Sequence, residues 1–173
     1  MPFTPFHLGP GAVVKAVLPK HFSLSAFALT QVFIDLESLY NLVYGKWPVH
    51  AFFHTYVGAT LAAVLAMLVV RLLFSRLLQA WNSLHKRSED SRLHLGNGIS
   101  WLSALVGSLL GAYSHVFLDS IMHPDIRPLA PLNSANVLHH IISVPMLHLI
   151  CLFSALVGFV WLLHLLFIGR YKA

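Results

Sequence analysis

Four stretches of this chain stay apolar for roughly 20 residues or more: about Leu24 to Tyr44, Thr55 to Leu78, Ile99 to Met122 and Met146 to Ile168. At about 1.5 Å of rise per residue, helices of that length cross a hydrocarbon core about 30 Å thick. Charge is scarce as well. Only 10% of the 173 residues are charged, against about 25% in an ordinary soluble domain. That is too little to cover a water-facing exterior, so lipid is the expected surround. The expectation is an all-α integral membrane bundle of about four transmembrane helices, built as one domain over residues 1–173. Gly9 to Pro19 adds a short interfacial or re-entrant helix, too short to cross alone and ended or kinked by Pro19. No basic segment leads into an early apolar run, so no cleavable signal peptide is expected.

The net charge of +5 does not point to nucleic acid, because the basic residues lie in short clusters beside the apolar segments. That placement suits topology and anionic headgroups. Lys15 and Lys20 precede the first span, and Arg71, Arg76, Lys86, Arg87 and Arg92 lie around the polar loop His85–Gly98. Arg170 and Lys172 follow the last span. An excess of Lys and Arg marks the cytoplasmic side. Both termini are then expected in the cytoplasm, with Lys46, Arg127 and the loops after spans one and three facing outward. The bilayer is the one partner this pattern implies. The lone Cys151 lies in an apolar run and reads as a packed thiol.

Twelve histidines stand against six acidic residues, and several fall in register with carboxylates. In "SHVFLDSIMHPD", His115, Asp119 and His123 recur at steps of four. Each step advances about 40° beyond a full turn, so the three share one helical face. A carboxylate within a membrane helix costs about 2.5–3.5 kcal/mol at the centre, so Asp119 needs a cation, a hydrogen-bond network or water. A His-x-x-x-Asp pair suits a metal, although a structural hydrogen bond explains it equally well. Pro124 places His123 at the helix end. "FIDLE" adds Asp35 and Glu37, which point to nearly opposite faces of their helix. Asp35 is the better ligand, with Glu37 a second ligand, a partner of a ligand or a general base. "HAFFHT" adds His50 and His54, four apart, on the same expected side as His115 and His123. Trp47 and Tyr56 would anchor that region at the interface. His139, His140 and His148 could contribute, whereas His21, His85, His94 and His164 have no evident partner. Mixed carboxylate and imidazole donors suit Zn²⁺, Mn²⁺ or Fe²⁺ better than Mg²⁺ or Ca²⁺.

Taken in order, "MPFTPFH", "FIDLE", "HAFFHT" and "SHVFLDSIMHPD" resemble the bacterial membrane-bound metal-dependent hydrolases, a group that includes LexA-binding inner-membrane-associated hydrolases. That group is distantly similar to zinc-dependent phospholipases C and single-strand nucleases. The resemblance implies an inner-membrane location and a ligand order of His7, Asp35, His54, His115, Asp119 and His123, with one or two zinc ions and Asp119 as a bridge between two; His50, four residues before His54, joins the candidate metal set by its spacing. It also implies hydrolysis of a phosphoester, and embedding in the bilayer suggests a lipid-like substrate. Glu37 or Asp125 would serve as general base, and Arg127 would hold a phosphate oxygen. The final His-x-x-x-Glu/Asp element of the soluble relatives is missing: Ser143, Val144 and Leu152 stand four residues after His139, His140 and His148. His7 lies across a full span from the other ligands unless the Gly9–Pro19 segment turns back. A haem-binding or ion-carrying membrane protein is the alternative.

Overall fold

A computed structural model describes residues 5–84 and 98–168. The described residues are helical and contain no strand. A 3₁₀ turn, Pro5–Leu8, leads into α1 (Gly9–Val17), then α2 (Leu24–Val43), a second 3₁₀ turn (Phe52–His54) and α3 (Tyr56–Val69). A π-helical segment, Val70–Phe74, continues α3 into α4 (Ser75–Leu84), and α5 (Trp101–Met122) and α6 (Val144–Phe167) complete the order. Hydroxyl caps set three of the helix starts. Ser23, Thr55 and Ser100 stand before α2, α3 and α5, and their side chains accept from the backbone N–H groups of Ala26, Gly58 and Ser103.

Three helical runs are long and apolar enough to cross a membrane: Tyr56–Leu84, Trp101–Met122 and Val144–Phe167. They coincide with the second, third and fourth expected spans. The first expected span is helical as α2, but it carries Asp35 and Glu37 and is not among those three. Its faces are inverted relative to a water-soluble helix. Thr30, Gln31, Asp35, Ser38 and Asn41 are buried, while Val32, Leu36, Leu42 and Val43 are exposed. α5 repeats the pattern: Ser103, Gly107, Ser108, His115 and Asp119 face inward, and Leu102, Leu105, Leu110 and Phe117 face out. Polar inside and apolar outside is the arrangement a lipid surround favours.

α5 is the central helix. Ser23 N–H donates to Ser103 O at 3.0 Å, and a Cβ on Gly111 would fall 2.5 Å from Phe27 O, so α2 runs parallel to α5 at very close range. α3 is antiparallel to α5. Thr60 Oγ1 meets the Tyr113 hydroxyl at 3.1 Å near one end, and Ile99 N–H donates to Ser75 Oγ at the other. α1 lies along α6. A Cβ on Gly9 would strike Cys151 O, and one on Gly158 would lie 2.4 Å from the backbone of Ala12, so the two helices advance together.

This last pairing resolves the position of His7. α1 starts at the end of the bundle where α5 finishes, and the chain reaches Ser23, beside Ser103, at the other end. From Ser103 to Asp119 is about 24 Å along the helix axis. The N-terminal segment therefore runs down the side of the bundle, and His7 shares the end that holds Asp119. Pro5 and Ile168 consequently lie at opposite ends of the described bundle. The loop residues Lys86, Arg87 and Arg92, and Arg170 and Lys172, lie outside the described residues.

Candidate metal centre

Three elements converge at the end of α5. α2 and α5 run in parallel register, which brings Asp35 level with His115. Asp119 lies one turn further along α5, on the same face. The Phe52–His54 turn then inserts His54 between the two helices. Two hydrogen bonds fix that turn: Glu37 accepts from the N–H groups of Phe52 (3.0 Å) and Phe53 (2.7 Å) with its two oxygens.

Four atoms face a common centre. His115 Nε2 lies 3.3 Å from Asp35 Oδ1 and 3.2 Å from Asp119 Oδ2. His54 Nε2 lies 3.4 Å from Asp119 Oδ2 and 3.9 Å from Asp35 Oδ1. Around a tetrahedral ion with ligands at about 2.0–2.1 Å, neighbouring ligand atoms stand about 3.3 Å apart. Three of these four separations match that spacing and the His54–Asp35 one is longer; one ligand atom from each residue lies within 4.8 Å of the others, and all four residues are buried. One of these donors supports the same conclusion. His115 Nε2 is buried without a hydrogen-bond partner, a costly arrangement that a cation at the common centre would relieve. Two imidazoles with two carboxylates fit a borderline cation such as Zn²⁺, Mn²⁺ or Fe²⁺.

His7 approaches from the opposite side. Its Nε2 lies 3.3 Å from Asp119 Oδ1, its ring meets His115 edge-on at 5.0 Å, and neither ring nitrogen has a hydrogen-bond partner. The two oxygens of Asp119 thus address two different sets of imidazoles. Gln31 Nε2 donates to His7 O at 3.3 Å and ties the turn to α2. Ser38 Oγ lies 3.4 Å from His54 Nε2. Sequence reading passed over both residues, although Gln31, Asp35 and Ser38 share one α2 face at helical spacing.

The remaining predicted residues form a second group. Asp125 Oδ2 accepts from the N–H groups of Val49 and His50, each at 3.0 Å, and its Oδ1 pairs with His50 Nδ1 at 2.9 Å. The His50 ring stacks on His123 at 4.1 Å and stands 4.7 Å from the His54 ring. His50, His123 and Asp125 bring ligand atoms within 4.8 Å of one another, yet the stacked rings and the three N–H donors on Asp125 describe a hydrogen-bonded support more than an open site. Burial, with His50 alongside, lowers His123 to about 4, so it is a neutral imidazole at pH 7. Burial opposes the charge on Asp125, but the His50 backbone and ring donors outweigh it and hold the carboxyl below its ordinary value. Arg127 is exposed beside this group. His148 stacks on Phe6 at 4.6 Å and His139 on His140 at 4.0 Å, and none of the three histidines is a member of the four-residue cluster.

The fold and the site together define a class: a helical bundle of membrane character with a buried centre of two histidines and two aspartates. By sequence, the chain belongs to the family described as Domain of unknown function (DUF4184), whose model matches residues 1–172. No curated protein matches the chain, and no solved structure does.

Proposed function

We propose that this protein is a membrane-embedded, metal-dependent hydrolase whose centre holds zinc, with α2 as a fourth span and the site opening outward from the inner membrane. The single observation that carries the reading is the convergence of one ligand atom each from Asp35, His54, His115 and Asp119 in a buried setting. A divalent cation bound there supplies Lewis acidity and activates water near neutral pH. The chain's own groups do the rest. His54 and His115 donate through Nε2, and Asp35 and Asp119 balance the positive charge. Asp119 Oδ1 and His7 offer two donors for a second ion. Ile34 and Val116, both fully buried, keep bulk water from the inner side. Glu37 and Asp125 are engaged by N–H donors, so their work is to orient His54 and His50 rather than to take a proton. Arg127 offers a cation to an anionic, phosphoester-like substrate.

Haem fits this centre poorly. The two Nε2 atoms share one focus with two carboxylate oxygens, which leaves no room for a macrocycle. The test is metal analysis of the detergent-purified chain, paired with hydrolysis of a generic phosphodiester. About one or two equivalents of zinc are expected, with hydrolysis. Combined replacement His115→Ala and Asp119→Ala should remove both, and full metal content in that double variant would refute the assignment.

A further inference from the structure

Beside the metal centre, the loop after α2 and the loop after α5 enclose a cleft of about 320 Å³. Its walls are apolar, with Pro48, Phe52, Ala130 and Pro131 among them; its charged lining is Arg127 and Asp125, whose carboxylate is taken up by the N–H groups of Val49 and His50 and by the His50 ring. At the inner side lies His50, buried and in ring contact with His54. At the outer side lies Arg127, exposed and in no ion pair among the described residues. A water occupies about 30 Å³ in the liquid and a methylene is of similar size, so the cleft holds about ten such units. Among the apolar side chains that stand bare on the same two loops are Trp47 at 76% exposure, Leu129 at 49% and Leu132 at 94%. Trp in particular belongs at the lipid–water boundary, which sets the cleft mouth at the level of the bilayer surface rather than in open solvent.

We propose that this cleft binds a single-chain amphiphile with an anionic head, drawn from the bilayer, its chain between the 48–55 and 127–131 segments and its head against Arg127. The proposal rests on the hydrolase reading for its purpose, not for its geometry. With Asp125 engaged by its three donors, Arg127 is the one charge of this apolar pocket left to meet a ligand, and an apolar pocket with a few placed polar groups is the usual form of a site for such a ligand. The guanidinium forks onto phosphate or carboxylate oxygens. An uncharged lipid tail alone would gain nothing from Arg127, and a free anion would gain nothing from the walls.

The test is photolabelling of the full chain in neutral detergent, with dodecyl phosphate carrying a diazirine on its chain, followed by mapping of labelled peptides. Label is expected within residues 48–55 and 127–131. Excess dodecyl phosphate should compete, while dodecyl maltoside and inorganic phosphate should not. Arg127→Gln should reduce cleft labelling by about tenfold, the scale of losing a charged hydrogen bond. Ala130→Trp, with helix content checked by circular dichroism, should block the cleft by filling it. The same label is expected with chelator or with added zinc, so absence of zinc binding would sink the hydrolase reading and leave the cleft intact. Label spread along exposed α6, or cleft labelling unchanged by Arg127→Gln, would overturn the proposal. Equal competition by inorganic phosphate would also overturn it.

Discussion

At the residue scale, the centre depends on carboxylates that do different work. Asp35 and Asp119 face the focus, whereas Glu37 and Asp125 hold backbone. Glu37→Ala frees the N–H groups of Phe52 and Phe53 and lets His54 drift. Metal affinity, measured by competition with a chelating dye, should fall about 10- to 100-fold, as for other partners that orient a ligand. Asp125→Asn weakens the ties to Val49 and His50 and should cost on the order of 2 kcal/mol in denaturant unfolding. Because its folded carboxyl lies below the ordinary value of 3.8, that contribution is present at neutral pH. It is lost only as the pH falls from about 4 through the folded value. The stability gap between wild type and Asp125→Asn should therefore close in acid. A gap unchanged at low pH would show that the carboxylate charge plays no part.

At the element scale, α1 is the least expected piece. Nine residues long, it has no capacity to span, and it is held by close backbone contact with α6 through Gly9 and Gly158. Gly158→Leu must push the helices apart, since even a Cβ there meets Ala12 at 2.4 Å. His7 should then leave Asp119. The expected result is loss of a second metal equivalent while the first, held by α2, α5 and the His54 turn, remains. Loss of both ions with intact helicity would show that α1 supports the whole centre rather than one side of it. The pairing of α2 with α5 follows a different logic. Gly111 meets the Phe27 backbone, and this approach is what sets Asp35 level with His115.

At the scale of the whole molecule, the bundle has two unlike ends. One carries His7, the candidate metal centre, Lys46 and Arg127. The other carries Lys15, Lys20, Arg71 and Arg76. With that second end in the cytoplasm, single-cysteine labelling gives the orientation directly. Cys151 is the sole cysteine and is buried, so it can be replaced by Ala. On that background, Leu132→Cys should react with an impermeant maleimide from outside intact cells, and Lys20→Cys only after the membrane is opened. The reverse pattern would turn the protein over and put the site in the cytoplasm.

The helical class was legible in the residues, because a chain with so little charge and such long apolar runs has few ways to satisfy its backbone in lipid. His115 and Asp119 were legible too, since a step of four on one helix is a local fact. So was the opposition of Asp35 and Glu37, two residues apart on one helix, although the buried stripe that Gln31 and Ser38 continue was passed over. The path of α1 was not, because nothing in a nine-residue helix says which neighbour it will lie against. Glycine contacts across α6 settled that, and with them the place of His7. Nor could sequence separate ligand carboxylates from supporting ones. Glu37 and Asp125 carry the same group as Asp35 and Asp119, and only the N–H donors that the folded loops bring to them decide the difference.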